Sequence, residues 1–108
     1  MADKIIPGID LKISVYVEPL DNMHMSNYEF ECAFYTQHQS KKRFLLKKED
    51  MHKIDDDNYL AVIPGKVTAQ FGYGQLMMEL TAHIPDGDFE NGFRTEKAIT
   101  RCEGVTIG

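Results

Sequence analysis

The groups that could do chemistry in this chain are few and scattered: Cys32, Cys102, four histidines (His24, His38, His52, His83) and two acidic clusters. Nucleophilic catalysis needs a Ser, Cys or Thr held beside a base, and the Gly-x-Ser-x-Gly turn that exposes a hydrolase serine is absent. A Cys–His dyad would require one of the histidines beside a thiol. Cys32, however, alternates with Phe30 and Phe34 on the apolar side of a strand, where a small hydrophobe is expected. Zinc sites use close His or Cys pairs, and neither the histidines nor the two distant cysteines supply one. The turn carrying Asp86, Asp88 and Glu90 opens like a calcium loop. The loop then fails, because Asn91 stands where the obligatory glycine belongs and Lys97 where the closing glutamate should be. Asp55-Asp56-Asp57 has consecutive rather than alternate acids. Pro64-Gly65-Lys66 and Gly72-Tyr73-Gly74 lack the rest of a phosphate loop or dinucleotide fingerprint and read as turns. The sequence therefore predicts no catalytic, cofactor-binding or metal-ligating residue, and a protein that is not an enzyme.

Charge narrows the partners. Twelve basic against seventeen acidic residues leave a net charge of -5, which repels phosphate backbones and anionic membranes. Neither nucleic acid nor membrane is expected as a partner. The basic group Lys41, Lys42, Arg43, Lys47 and Lys48 runs into Glu49 and Asp50 and reads as a solvated strand edge. With 108 residues, 43% hydrophobic and 27% charged, the chain fits one folded domain over residues 1–108. The N-terminus has no apolar run long enough for a signal-peptide core, so a cytosolic protein is expected. Two cysteines allow at most one bridge, and in a reducing compartment both are expected as free thiols.

The elements that must position these groups are strands. Leu76, Met78, Leu80, Ala82 and Ile84 fall at every second position, as do Ile9, Leu11, Ile13, Val15 and Val17. That period puts one apolar face on the core and one polar face outward. Residues 28–36 alternate Tyr28, Phe30, Cys32 and Phe34 against Glu29, Glu31, Ala33 and Tyr35. Further strands are expected at 43–48 and 59–63, with two closing strands at 93–101 and 105–107. Residues 19–27, 37–42, 49–58 and 85–92 carry the turn chemistry between them. Residues 66–74 fit either a short strand or a helical turn. Seven or eight short strands without a long helix predict an all-β, antiparallel β-sandwich, with a barrel as the alternative. The inward set is Leu11, Ile13, Val15, Phe30, Cys32, Phe34, Leu76, Met78 and Leu80. Outward Tyr16, Tyr35 and Met77 are the candidate interaction residues, because Tyr and Met are enriched where proteins meet.

The order of these features resembles the immunoglobulin-like domains of phage and prophage tail or baseplate proteins, in particular the N-terminal domain of phage baseplate upper proteins. The matching pieces are the opening strand at 9–17 and the acidic turn running into Asp57-Asn58-Tyr59-Leu60-Ala61-Val62-Ile63. A small-residue turn with Ala69 and Gly74, the long strand at 76–84, the Pro85-Asp86-Gly87 turn and the closing Gly104-Val105-Thr106-Ile107 follow. Antibody-type markers are missing: there is no Trp, and residue 100, two before Cys102, is Thr rather than Tyr. The resemblance implies a non-catalytic structural protein, a tail or baseplate component that assembles through sheet edges and loops. Its partners would be copies of itself or other particle subunits, and a homo-oligomer is expected. It would be made in the host cytoplasm and end in the virion. A small ligand-binding β-sandwich or β-barrel is the alternative.

Overall fold

In the computed structural model, which describes residues 4–20, 22–39 and 41–108, the chain is all-β, with two sheets packed face to face as a β-sandwich. Residues 1–3 of the N-terminal segment, and Asp21 and Ser40 of the two loops, lie outside the described residues. The strands are β1 (Lys4–Ile5), β2 (Leu11–Tyr16), β3 (Glu29–Thr36), β4 (Phe44–Lys47), β5 (His52–Asp55), β6 (Asn58–Ile63), β7 (Gly74–Pro85) and β8 (Phe93–Ile107). One sheet has the order β1-β8-β7-β3-β4 and the other β2-β6-β5. All pairings are antiparallel except that of the two-residue β1 with the end of β8.

Alternation is what builds the core. Leu76, Met78, Leu80, Ala82 and Ile84 of β7 are all buried, together with Phe30, Cys32 and Phe34 of β3 and Tyr59, Ala61 and Ile63 of β6. From β2, Val15 is buried while Leu11 and Ile13 are partly covered against the same cluster. The Phe30 and Tyr59 rings meet edge to face across the two sheets at 5.0 Å, the geometry that the ring quadrupoles favour. In β4, Leu46 turns inward and Leu45 outward, so three consecutive apolar residues still obey the two-residue period.

Three expectations change and one open alternative is resolved. Ile9 is exposed and lies outside β2, because the chain just before the strand is tied to residues 65–68 instead. There Asp10 accepts a hydrogen bond from the Gly65 amide at 2.6 Å, and the Thr68 hydroxyl accepts one from the Gly8 amide at 3.0 Å. A Cβ on Gly65 would sit 2.2 Å from the Gly8 carbonyl oxygen, so only glycine allows this approach. The undecided segment resolves accordingly into a helical turn, α1 (Gly65–Thr68). Residues 49–58, expected as a turn, contain β5, whose four side chains are all exposed and so leave no alternation to read. The aspartates still turn the chain, with Asp55 accepting from the Asp57 amide at 2.9 Å. Finally, the two closing strands are one long β8 interrupted by a bulge. Gln75 pairs with Thr106 and Met77 with Arg101, so Leu76 alone faces residues 102–105. Gly104 takes φ +78° within it. The Gln75 side-chain amide donates to the Cys102 and Val105 carbonyls at 2.8 and 2.9 Å, which supplies the partners the ladder loses there.

Counted from β2 as A to G, the strands lie A-E-D against G-F-B-C, whereas immunoglobulin constant domains have ABED against CFG. The second strand has moved to the other sheet. The likeness to that class lies in the sandwich architecture rather than in strand order.

Candidate functional site

β8 pairs with β7 along one side over residues 93–101, and β1 takes only Thr106 and Ile107 on the other. Among the described residues no strand pairs the second side of residues 93–101. Both faces are open as well. Every side chain from Phe93 to Arg101 is exposed except that of Arg94, which is half-buried, and Phe93 and Ile99 are 45% and 59% exposed. The backbone groups that point away from the sheet follow from the ladder. The Asp86 amide donates to the Gly92 carbonyl at 2.9 Å, so by alternation the even-numbered residues of β8 bond to β7. The N–H and C=O groups of Phe93, Thr95, Lys97, Ile99 and Arg101 therefore face outward. Such a row is a template for another strand.

The space beside this edge has both apolar and charged walls. A groove of about 440 Å³ separates β2 from β8, with Val15, Met78 and Cys102 on its walls beside Lys12, Arg101 and Glu103. A hollow of about 430 Å³ lies between Val17, Leu20, Leu80, Ala82 and Ala98. The three-stranded sheet does not reach far enough to cover the inner side of β8. On that inner side, Arg94 pairs with Asp86 at 3.1 Å and approaches Glu96 at 3.4 Å.

Of the three candidate interaction residues, Tyr35 and Met77 are direct cross-strand neighbours, while Tyr16 belongs to the other sheet and lines the groove. Tyr16 is 58% exposed and Met77 half-buried. Tyr35 needs correction: it lies on the outer face of β3 yet is only 6% exposed. The Arg43 guanidinium covers its ring at 4.4 Å from the centroid and also binds Glu79 at 2.6 Å. Side-chain direction is readable from alternation, but cover by a long cation from just before the next strand is not.

The groups first considered for chemistry are engaged locally or lie apart. Cys32 and Cys102 are buried free thiols. Burial pushes them up to about 12 and about 11, away from the thiolate that nucleophilic attack requires. Asp86 accepts from the Asp88 amide and from Arg94, as a turn-forming carboxylate does. His24 pairs with Asp57 at 2.7 Å, and Asp56 with Lys53 at 3.1 Å. The Lys53 hydrogen bond, followed by that from Ser26, holds Asp56 below the usual carboxylate range. Among the described residues, no group of three or more His, Cys, Asp or Glu side chains is arranged to hold a metal ion. Among them, too, no helix is long and apolar enough to cross a membrane. The feature that sequence reading missed is the open side of β8. Its signal is that residues 93–101 have the boundaries of a strand but an apolar residue only at Phe93, Ala98 and Ile99, so neither face repeats. Compared with protein-family models, curated proteins and solved structures, the chain finds no match.

Proposed function

We propose that this protein is a non-catalytic structural module that works by assembly, recruiting another strand to the free side of β8. The observation that carries the reading is residues 93–101, a stretch with no strand paired to its second side among the described residues and exposed on both faces except at half-buried Arg94. Edge strands left in this state invite pairing, and folded proteins that must stay apart shorten, charge or cover them. Here the edge is long, carries exposed Phe93 and Ile99, and borders a groove lined in part by Val15, Met78 and Cys102. The setting belongs to the same proposal: a tail or baseplate component of a phage or prophage particle, as the family resemblance implies.

Particles purified after prophage induction of cells carrying the gene provide the test. The protein is expected in the particle fraction, with outward amides of β8, those of Phe93, Thr95 and Lys97 among them, exchanging more slowly there than in the free protein. Absence from particles would overturn the setting, and unprotected amides in assembled material would overturn edge pairing.

A further inference from the structure

The charges along β8 specify a partner for its open side. Resting on the assembly reading above, we propose that two copies of this chain pair their β8 strands antiparallel about a two-fold axis through Thr95. A two-fold axis normal to a continuous sheet must pass through a residue, which then faces its own copy, and each choice of residue sets every other pair. An axis through Glu96 opposes two glutamates, and one through Lys97 opposes two lysines. Centring on Ile99 sets Lys97 against the partner's Arg101, and centring on Arg94 opposes two arginines. An axis through Ala98 opposes no charges at all. Among pairs formed within residues 93–101, only the Thr95 axis places opposite charges face to face: Arg94 against the partner's Glu96, and Glu96 against the partner's Arg94. Like charges directly opposite destabilise a sheet and unlike charges stabilise it.

The remaining pairs agree with this register. Thr95 meets its own copy, a favourable cross-strand hydroxyl pair. Phe93, exposed on the outer face, comes opposite the partner's Lys97, whose ammonium can sit against the ring. Arg94 and Glu96 already lie side by side on one face within the chain, so the pairing closes a four-charge cluster. The outward backbone groups of Phe93, Thr95 and Lys97 are the ones this register uses. Beyond it, Arg101 is carried toward the partner's Asp88 and Glu90 in the acidic turn.

Light scattering across a concentration series tests the proposal on the full chain. The mass is expected to rise from 12.4 kDa toward twice that value. Thr95→Pro removes an N–H that points away from β7 and should abolish the rise. Arg101→Pro removes an outward N–H outside this register and should leave the dimer intact. Should Thr95→Pro disturb the fold, visible in the far-ultraviolet spectrum, Thr95→Cys decides: mild oxidation should give a covalent dimer, whereas Ala98→Cys should not. A monomer at every concentration, or cross-linking through Ala98→Cys with dimer loss in Arg101→Pro, would overturn the Thr95 register. If the chain is monomeric but its edge amides are protected in particles, self-pairing fails and the assembly reading stands.

Discussion

The five-stranded sheet ends in two very different edges. β4 is four residues long, with Leu46 buried, and basic side chains crowd around it: Lys41, Lys42 and Arg43 before the strand, Lys47 at its end and Lys48 just after. β8 runs for fifteen residues, and over 93–101 none of its side chains is buried. Short, lysine-rich edges discourage further pairing, whereas long, flat ones invite it. The same sheet thus closes itself on one side and stays open on the other. An edge of the first kind contributes to the fold, and one of the second kind becomes useful only when something is added to it.

This difference predicts unequal costs of truncation. Leu46→Ala should destabilise the protein by about 2–5 kcal/mol through lost burial and the cavity left behind. Ile99→Ala on β8 should stay within about 0.5 kcal/mol, as surface substitutions do. Urea unfolding of both variants, at concentrations where the chain is monomeric, measures the contrast. Equal costs would mean that β8 is packed in the free protein and the two edges are alike.

The two thiols sharpen the comparison, since Cys32 lies on the interior strand β3 and Cys102 in the bulge of β8. Burial raises both above the ordinary thiol value of 9, to about 12 and about 11. The sign follows directly: folded thiols stay protonated where unfolded ones have ionised. The stability they contribute is therefore complete below pH 9 and falls as pH rises from there toward 11–12. Unfolding midpoints at pH 8 and 10 should show the drop, and replacing both cysteines by Ala should flatten it. In native protein at pH 8, a thiol reagent should label Cys102 before Cys32. Local opening of the β8 end exposes the former, and only global unfolding the latter.

Most of the sandwich was legible because its strands obey one rule. Where one face is buried, as at Leu76 to Ile84 or Phe30 to Phe34, the two-residue period is written in the side chains. Where no face is buried, as in β5, the period vanishes and His52 to Asp55 look like part of an acidic turn. The closing segment failed for a different reason: Gly104 reads as a strand break, but it accommodates a bulge in a continuous strand. Tyr35 illustrates a third limit. Its direction is local, while its burial depends on Arg43, which covers the ring from just before β4 and is held by Glu79 of β7. The candidate site was the least legible part, since an unpaired edge is a statement about neighbours that are missing.

The bulge that separates the anchored end of β8 from its free stretch depends on Gln75. Its side-chain amide lies within hydrogen-bond distance of the carbonyls of Leu76, Cys102 and Val105. Gln75→Ala leaves these groups short of a donor in a partly buried place and should cost about 1–3 kcal/mol. Amide exchange should locate the effect, with faster exchange around residues 102–107 and little change in β3 and β4. Uniform acceleration across both edges would show that the bulge is no boundary.

The smallest expected effect concerns the closed edge. Arg43 reaches from the chain just before β4 across Tyr35 to Glu79 on β7, spanning three neighbouring strands with one side chain. The Arg43 side chain is 37% exposed, so solvent screens the ion pair, and the ring contact is worth about as much. Arg43→Ala should cost about 1 kcal/mol. Arg43→Lys should recover only part of that, because an ammonium cannot both lie flat on the ring and fork toward a carboxylate. Removing Arg43 also uncovers Tyr35, and here the two edges can be told apart functionally. If association runs through β8, Arg43→Ala and Tyr35→Glu leave the oligomeric state of the protein unchanged, while Thr95→Pro alters it. A reversal, with Tyr35→Glu dissociating the assembly and Thr95→Pro leaving it whole, would move the interface to the outer sheet face.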